Sequence, residues 1–142
     1  MVPPGPDCGR RRFGWFVLVV ALATGVLLAR RVVAGRVLRI TVEGSSMEPA
    51  LAPGDRVLVV TTRAVRVGDI VAVPDPRDGR RLLVKRVISI DHRHRLISVE
   101  GDNRGESTDS REFGPVLSDD IVGRVVYRYA PSSRAGRVGS GR

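Results

Sequence analysis

The sequence predicts a mainly β protein, in which a small antiparallel, barrel-like domain follows one transmembrane helix. From about residue 36 the chain is rich in Val, Ile and Leu without a sustained helical period, and Gly, Pro or Asp interrupts it at short intervals. This pattern is typical of short strands joined by turns. A run of seventeen uncharged residues near the N-terminus predicts the helix. With that run set aside, the 142 residues leave room for one domain.

The apolar run extends from Phe13 to Ala29 and has arginines at both ends, at 10–12 and at 30–31. As a helix it would be about 26 Å long, slightly shorter than the ~30 Å hydrocarbon core, and arginine side chains that reach the headgroups can cover the difference. We therefore predict a membrane anchor over residues 13–34, after a flexible leader over 1–12. A cleaved secretory signal and a buried core helix are the alternatives. Arginines on both sides leave the orientation open.

Six strands are predicted after the anchor, separated by turns rich in Pro, Gly and Asp. They are Val37–Glu43, Arg56–Thr62, Asp69–Val73, Arg81–Ile90, Arg95–Glu100 and Ile121–Tyr129. We place the domain at residues 36–130. Residues 131–142 show no periodicity and are interpreted as a flexible basic tail.

Composition limits the partners. The net charge of +9 suits an anionic surface, either nucleic acid or lipid. Only six residues are aromatic and three of them lie in the apolar run, so the domain lacks a platform on which bases could stack. We predict contact with a lipid bilayer and not with nucleic acid. His92 and His94 have no further metal-ligand type nearby, so no metal and no other cofactor is predicted.

Lys85 is the only lysine among 24 basic residues. An arginine cannot give up its proton in a protein, whereas a desolvated lysine can, so this exception points to acid–base chemistry. Alternation along the strand places Lys85 on the same face as Leu83 and Val87, where lost hydration favours the neutral amine. A lysine retained by chance is the alternative.

A base of this kind needs a nucleophile, and the segment Gly44–Met47 presents two hydroxyls in a turn that follows a strand. Backbone N–H groups in such a turn can also bind the oxyanion of a tetrahedral intermediate. A serine beside a glycine is by itself equally typical of an ordinary turn, so the residues alone leave both interpretations open.

Several segments together resemble the type I signal peptidases, membrane-bound serine proteases that use a Ser/Lys dyad to remove secretory signal peptides. In chain order after the apolar run they read SMEP with APGDRVLV, GDIVAV, LLVKRV, GDNRGESTDSREFGPV and IVGRV. The resemblance covers nearly the whole chain and implies a mostly antiparallel, barrel-like β fold. Only fifteen residues separate Lys85 from Gly101, too few for the extra β domain of larger members. It therefore implies a minimal form of the catalytic domain.

The resemblance implies a role for each residue of the candidate site. Ser46 matches the nucleophile and Lys85 the general base. Ser107 matches a serine that orients the lysine amine, and Asp109 and Arg111 match a pair that supports the site structurally.

The same resemblance implies an oxyanion region near Gly44 and the backbone N–H of Ser46. Some members have a serine at the position of Gly44, whose hydroxyl helps to bind the oxyanion. With glycine there, the Ser46 N–H would carry more of that task.

The function implied is that of a signal-peptide endopeptidase acting on exported precursor proteins with small residues at the first and third positions before the cut. The resemblance also implies a single-pass protein of the plasma membrane, with its N-terminus cytoplasmic and its catalytic domain outside. Three alternatives remain. They are a maturation protease dedicated to one substrate, such as the nickel superoxide dismutase precursor, a self-cleaving Ser/Lys protein, and a non-catalytic membrane-bound β scaffold.

Overall fold

The computed structural model describes residues 21–25 and 36–139. The chain divides into two units, Met1–Gly35 and Arg36–Arg142. In the first unit the described residues, 21–25, are helical, and the predicted leader and most of the predicted anchor lie outside the described residues. Within the described ranges, no helix has the length and apolar character needed to span a bilayer.

The second unit is built on one antiparallel sheet, and all six predicted strands form. The strands are β1 (Val37–Thr41), β2 (Arg56–Val60), β3 (Ile70–Asp75), β4 (Asp78–Asp91), β5 (Leu96–Glu100), β6 (Val116–Leu117), β7 (Gly123–Ala130) and β8 (Gly136–Arg137). A short helix, α1 (Ser110–Phe113), precedes β6. The two-residue strands β6 and β8 were not predicted, because so short a stretch carries no period.

The sheet is open. Its strand order is β1-β2-β7-β3-β4-β5-β6, with β8 paired to β7, and every pairing is antiparallel. The predicted mainly β, antiparallel class is therefore confirmed. Strands β1 and β6 stand at the two ends of this order and do not pair with each other in the described part of the chain, so the hydrogen-bonded path does not close into a complete barrel.

Strand β3 has a hydrophobic cluster on each of its faces. Ile70 and Ala72 belong to a first cluster that includes Val57, Val59 and Val125 of β2 and β7. The alternate residues of β3 belong to a second cluster, whose members are Val71, Val73, Val87, Ile97, Val99, Val116 and Ile121. Because successive side chains of a strand point to opposite faces, a strand buried on both faces requires an unbroken apolar run, which Ile70–Val73 provides.

The predicted flexible tail contains regular structure where it is described. Residues Ser132–Arg134 form a 3-10 helix, and Gly136–Arg137 pair with β7 as strand β8. The folded region therefore extends past the predicted domain limit at residue 130. No local pattern predicts this structure, because the contacts that order the segment come from residues far away in the chain.

One of these contacts is made by Arg134 with the carboxylate of Asp55, which is buried and 1% exposed. It accepts hydrogen bonds from the Ala52 N–H at 2.9 Å, from Arg128 at 3.1 Å and from Arg134 at 3.3 Å. Arg128 also donates to the Ala50 carbonyl oxygen at 3.0 Å. Two arginines, one on β7 and one beyond it, thus neutralise the carboxylate next to β2.

We predict that Arg128→Met lowers the free energy of unfolding by about 2–4 kcal/mol, because it leaves Asp55 buried with a weaker partner. Arg137→Met is the matched control: Arg137 is exposed and forms no ion pair within residues 36–139, so a change within about 0.5 kcal/mol is expected. Chemical denaturation of both variants measures the difference. Equal stabilities would show that the carboxylate does not depend on Arg128.

Candidate functional site

A cleft of about 580 Å³ contains three of the six site residues predicted from the sequence. Gly44, Ser46 and Lys85 line it. One wall is the segment 40–47, which ends β1 and continues into the serine turn, and the other is the segment 80–85 of β4. Ser107, Asp109 and Arg111 form a hydrogen-bonded group with Lys85, so the structure brings the predicted residues to one region.

Both walls of the cleft present unpaired strand edges. Among residues 36–139, strand β1 pairs only with β2. Strand β4 pairs with β3 from Leu82 to Arg86, whereas its pairing with β5 begins only at Arg86. Within the described part of the chain, the second edge of β4 is therefore unpaired before Arg86. Free N–H and C=O groups on such edges can bind an extended peptide as an added strand.

Lys85 is buried, with 2% of its surface exposed. Val87, on the same face of β4, belongs to the second cluster, and Leu83 packs against it, whereas Val84 packs against the first cluster. This packing agrees with the face predicted for Lys85 by alternation. Burial lowers the pKa of the Lys85 amine, and the nearby carboxylate of Asp109 only partly opposes that effect.

The Lys85 Nζ donates a hydrogen bond to the Ser107 Oγ at 2.8 Å, and the Ser107 hydroxyl donates to Asp109 Oδ2 at 2.7 Å. Asp109 is fully buried. It also accepts from the Gly101 N–H at 3.0 Å and from Arg111, whose Nε and Nη2 lie 2.9 and 2.8 Å from its two oxygens. Burial alone would raise the pKa of Asp109, but these hydrogen bonds outweigh it and hold the pKa well below its usual value.

The directions of these hydrogen bonds determine what Lys85 can do. An ionised Asp109 can only accept, so the single hydroxyl proton of Ser107 is donated to it. The Ser107 oxygen must therefore accept from Lys85, and it offers the amine no proton. In its neutral form the amine keeps a lone pair that Ser107 does not use, and this lone pair is available to take a proton from another group in the cleft.

Ser46 is fixed by its neighbours in the chain and in space. The next residue, Met47, is 1% exposed and lies in the first cluster. The Ser46 carbonyl oxygen accepts the N–H of Asn103 at 3.0 Å. The Ser46 N–H donates no hydrogen bond within the described residues, so it is free to bind a ligand oxygen in the cleft. Ser45, the other hydroxyl of the turn, does not line the cleft.

Gly101 lies between Ser107 and the backbone of Ser46, and the sequence did not predict it as a site residue. A Cβ atom at this position would overlap both the Ser107 side chain and the Ser46 carbonyl oxygen. The absence of a side chain thus allows the two serine segments to approach each other. A glycine at the end of a strand pattern, followed by polar residues, is the signal that indicates such a close approach.

The sequence also did not predict two carboxylate–arginine pairs near the cleft. Arg86 donates through Nε to Asp102 Oδ1 at 2.7 Å, which holds β4 against the loop after β5. Asp75, 2% exposed, is bound by Arg77 through Nε and Nη2 at 3.1 and 3.0 Å. Hydrogen bonds from Arg77 lower the pKa of Asp75, and the charge of Arg81 adds to the effect. These pairs join residues by contacts that the sequence pattern does not reveal.

The histidines lie away from this cleft, at the turn between β4 and β5. The His94 Nδ1 lies 2.7 Å from Asp91 Oδ2, and both side chains are largely exposed. In the described part of the chain, no three His, Cys, Asp or Glu side chains come together in a way that suits a metal ion.

A buried lysine whose amine pKa is lowered and a serine in the same cleft are the components of a hydrolase that acts through a serine nucleophile. The family model described as signal peptidase, peptidase S26, matches residues 11–91 and 95–130. The chain therefore belongs to the S26 family of signal peptidases, which confirms the resemblance found in the sequence and indicates a serine peptidase.

Similar proteins carry names of membrane proteases. The mitochondrial inner membrane protease subunit 2 of Danio rerio is 34% identical, over 92% of this chain and 83% of its own length. The protein of the same name from Schizosaccharomyces pombe is 35% identical, over 69% of this chain and 67% of its own. That of Mus musculus is 39% identical over 53% of this chain and 57% of its own. These names refer to the mitochondrial inner membrane, and they do not support the plasma membrane expected from the sequence.

We predict that Gly101→Ala lowers peptidase kcat/KM by about a hundredfold, because the added methyl group displaces Ser46 or Ser107. Gly105→Ala is the matched control, since a Cβ at Gly105 meets nothing within 4 Å, and it should retain nearly full activity. Cleavage of a fluorogenic peptide by both variants provides the measurement. Full activity in Gly101→Ala would contradict a close approach that needs glycine.

Proposed function

We propose that this protein is a membrane-anchored serine endopeptidase that removes signal peptides from precursor proteins with a Ser46–Lys85 dyad. The observation that carries the proposal is the buried Lys85 amine, held by Ser107 at 2.8 Å in the same cleft as Ser46. Membership of the signal peptidase family supports this class of substrate.

In the proposed first step, the neutral amine of Lys85 takes the proton from the Ser46 hydroxyl as Oγ attacks the scissile carbonyl carbon. A tetrahedral intermediate forms, with the negative charge on the former carbonyl oxygen. Ser107 keeps the amine directed into the cleft, because its own proton is committed to Asp109. Asp109 and Arg111 act as a structural pair that fixes Ser107.

In the following steps, Lys85 returns the proton to the leaving nitrogen as the C–N bond breaks, which leaves Ser46 acylated and releases the C-terminal product. A water molecule then gives a proton to Lys85 and attacks the ester. When this second intermediate collapses, the proton returns to Ser46 Oγ and the N-terminal product leaves. The cycle thus uses one base in both halves, and the chain's own residues supply every group except the water.

The oxyanion binds to the backbone N–H of Ser46, which has no other acceptor in the described residues. Gly44 lies beside it in the cleft and contributes no side-chain donor. A Cβ at Gly44 would meet nothing within 4 Å, so there is open space where some relatives place a hydroxyl.

The substrate binds as an extended peptide between the free edges of β1 and β4. Both edges line the cleft, and each can form main-chain hydrogen bonds with one side of the peptide. The resemblance to type I signal peptidases adds small residues at the first and third positions before the cut. A barrel-like curvature of the open sheet would bring the two edges to opposite sides of this peptide.

Membrane attachment by residues 13–34, after a leader over 1–12, remains part of the proposal, with the catalytic domain beginning at residue 36. The names of the relatives support a membrane location in general. Placement in a plasma membrane with the N-terminus cytoplasmic is the finer form of the proposal. A second candidate substrate range, one dedicated precursor in place of many, would use the same site and mechanism.

We predict that Ser46→Ala and Lys85→Arg each reduce kcat by at least about a thousandfold, the first by removing the nucleophile and the second by replacing the base with a guanidinium that cannot lose its proton. Ser45→Ala should remain active, because Ser45 does not line the cleft. The measurement is cleavage of a precursor protein by the full chain in detergent, with circular dichroism as a check on folding.

Full activity in a folded Lys85→Arg variant would exclude lysine as the base. Activity that disappeared in Ser45→Ala and persisted in Ser46→Ala would show that the nucleophile is Ser45 and not Ser46.

A further inference from the structure

Three arginines on the β3–β4 hairpin and the start of β4 line the cleft, namely Arg77, Arg80 and Arg81. Arg77 is occupied, since it binds the buried Asp75 through two hydrogen bonds. Arg80 and Arg81 are exposed, and within residues 36–139 neither guanidinium takes part in a hydrogen bond or ion pair. Two exposed cations therefore line the cleft in which the substrate would lie, and the charge of Arg81 also acts on the buried Asp75 carboxylate.

Two of the three acidic residues that line the cleft directly precede site residues in the chain. Glu43 directly precedes Gly44, and Glu106 directly precedes Ser107, whose side chain contacts Lys85. The third acidic residue, Asp75, is neutralised by Arg77. The cleft thus has carboxylates near the reacting groups and free guanidinium groups farther along, so its charge varies along the length of a bound peptide.

The number of residues between Arg81 and Lys85 on β4 indicates which residue of a bound peptide would lie beside Arg81. Arg81 lies four residues before Lys85, or about 13 Å along a strand. Four is an even number, so Arg81 shares the face of β4 that carries Lys85, and Arg80 lies on the other face. A peptide added to this edge would place its side chains beside those of β4, and the residue beside Arg81 would lie four positions from the one beside Lys85.

We propose that Arg81 forms a subsite for an acidic side chain of the substrate at the fifth residue before the cut. This inference rests on the proposed function, in which the carbonyl at the first position before the cut lies beside Ser46 and Lys85. It also takes the bound peptide to run in the same direction as β4, so that residues before the cut lie beside Arg81. A carboxylate at the fifth position would meet the planar guanidinium of Arg81, which can bind both of its oxygens. The subsite would favour precursors with Asp or Glu at that position.

The test compares synthetic peptides with alanine at the first and third positions before the cut and either Glu or Gln at the fifth, cleaved by the full chain in detergent. At low ionic strength we expect kcat/KM to be about three- to tenfold higher for Glu than for Gln, and the ratio to approach one near ~0.5 M NaCl. A peptide with Gln at the fifth position and Glu at the second carries the same charge and should gain nothing.

The Arg81→Glu variant should reverse the preference, with a Glu/Gln ratio below one and a gain for Lys at the fifth position. Arg93→Glu makes the same change of charge at an exposed site outside the cleft and should keep the original ratio. Because each ratio compares two peptides on one enzyme, partial misfolding of a variant does not affect it.

Equal cleavage of the Glu and Gln peptides by the unmodified chain would overturn the subsite and leave the proposed function intact. A ratio that Arg81→Glu does not alter, or that Arg93→Glu alters equally, would also overturn it. Failure of the unmodified chain to cleave any of the peptides, or a signal-peptide precursor, would overturn the subsite and the proposed function together.

Discussion

The candidate site depends on one buried carboxylate, that of Asp109. Its two oxygens accept the Gly101 N–H, the Ser107 hydroxyl and the guanidinium of Arg111. A fully buried charge is costly unless it is paired and hydrogen-bonded, and these partners supply both conditions. The same interactions determine that Ser107 accepts from Lys85. The loop after β5 is joined to the serine turn by the Asn103 N–H, which donates to the Ser46 carbonyl oxygen at 3.0 Å. The orientation of the Lys85 amine is therefore set, through Ser107, by a carboxylate to which it is not hydrogen-bonded.

The fold supplies the rest of the site through strand edges and burial. Strand β3 has a cluster on each face, which fixes β4 beside it and places Lys85 opposite Val71 of the second cluster. Because β5 pairs with β4 only from Arg86 onward, the segment that carries Lys85 has an edge that no strand of the described chain covers. A buried amine and an accessible backbone edge thus occur on the same strand, an arrangement that suits a base acting on an extended peptide.

The sequence predicted the parts of this structure that have a period or a distinctive residue. The six longer strands follow from alternation and turn residues, and Lys85 was distinguished by its uniqueness and by its apolar face. Ser46 and Ser107 were recognised only through the family resemblance, because a serine in a turn has no pattern of its own. Gly101, the Asp55 cluster and the strand β8 depend on contacts between distant parts of the chain, which no local pattern contains. Residues 1–20, where the leader and the start of the anchor are predicted, lie outside the described residues.

The proposed mechanism requires Lys85 to be neutral when the protein acts, and its charge can be measured directly because the chain contains one lysine. Labelling lysine with ¹⁵N at Nζ and ¹³C at Cε gives a single side-chain signal, which NMR can follow through a pH titration of the full chain in detergent. Burial predicts a pKa below the ordinary value of about 10.4, so the amine loses its proton, and kcat/KM rises, at a lower pH than for an exposed lysine. A pKa at or above the ordinary value, or activity that does not follow the titration, would contradict lysine as the base.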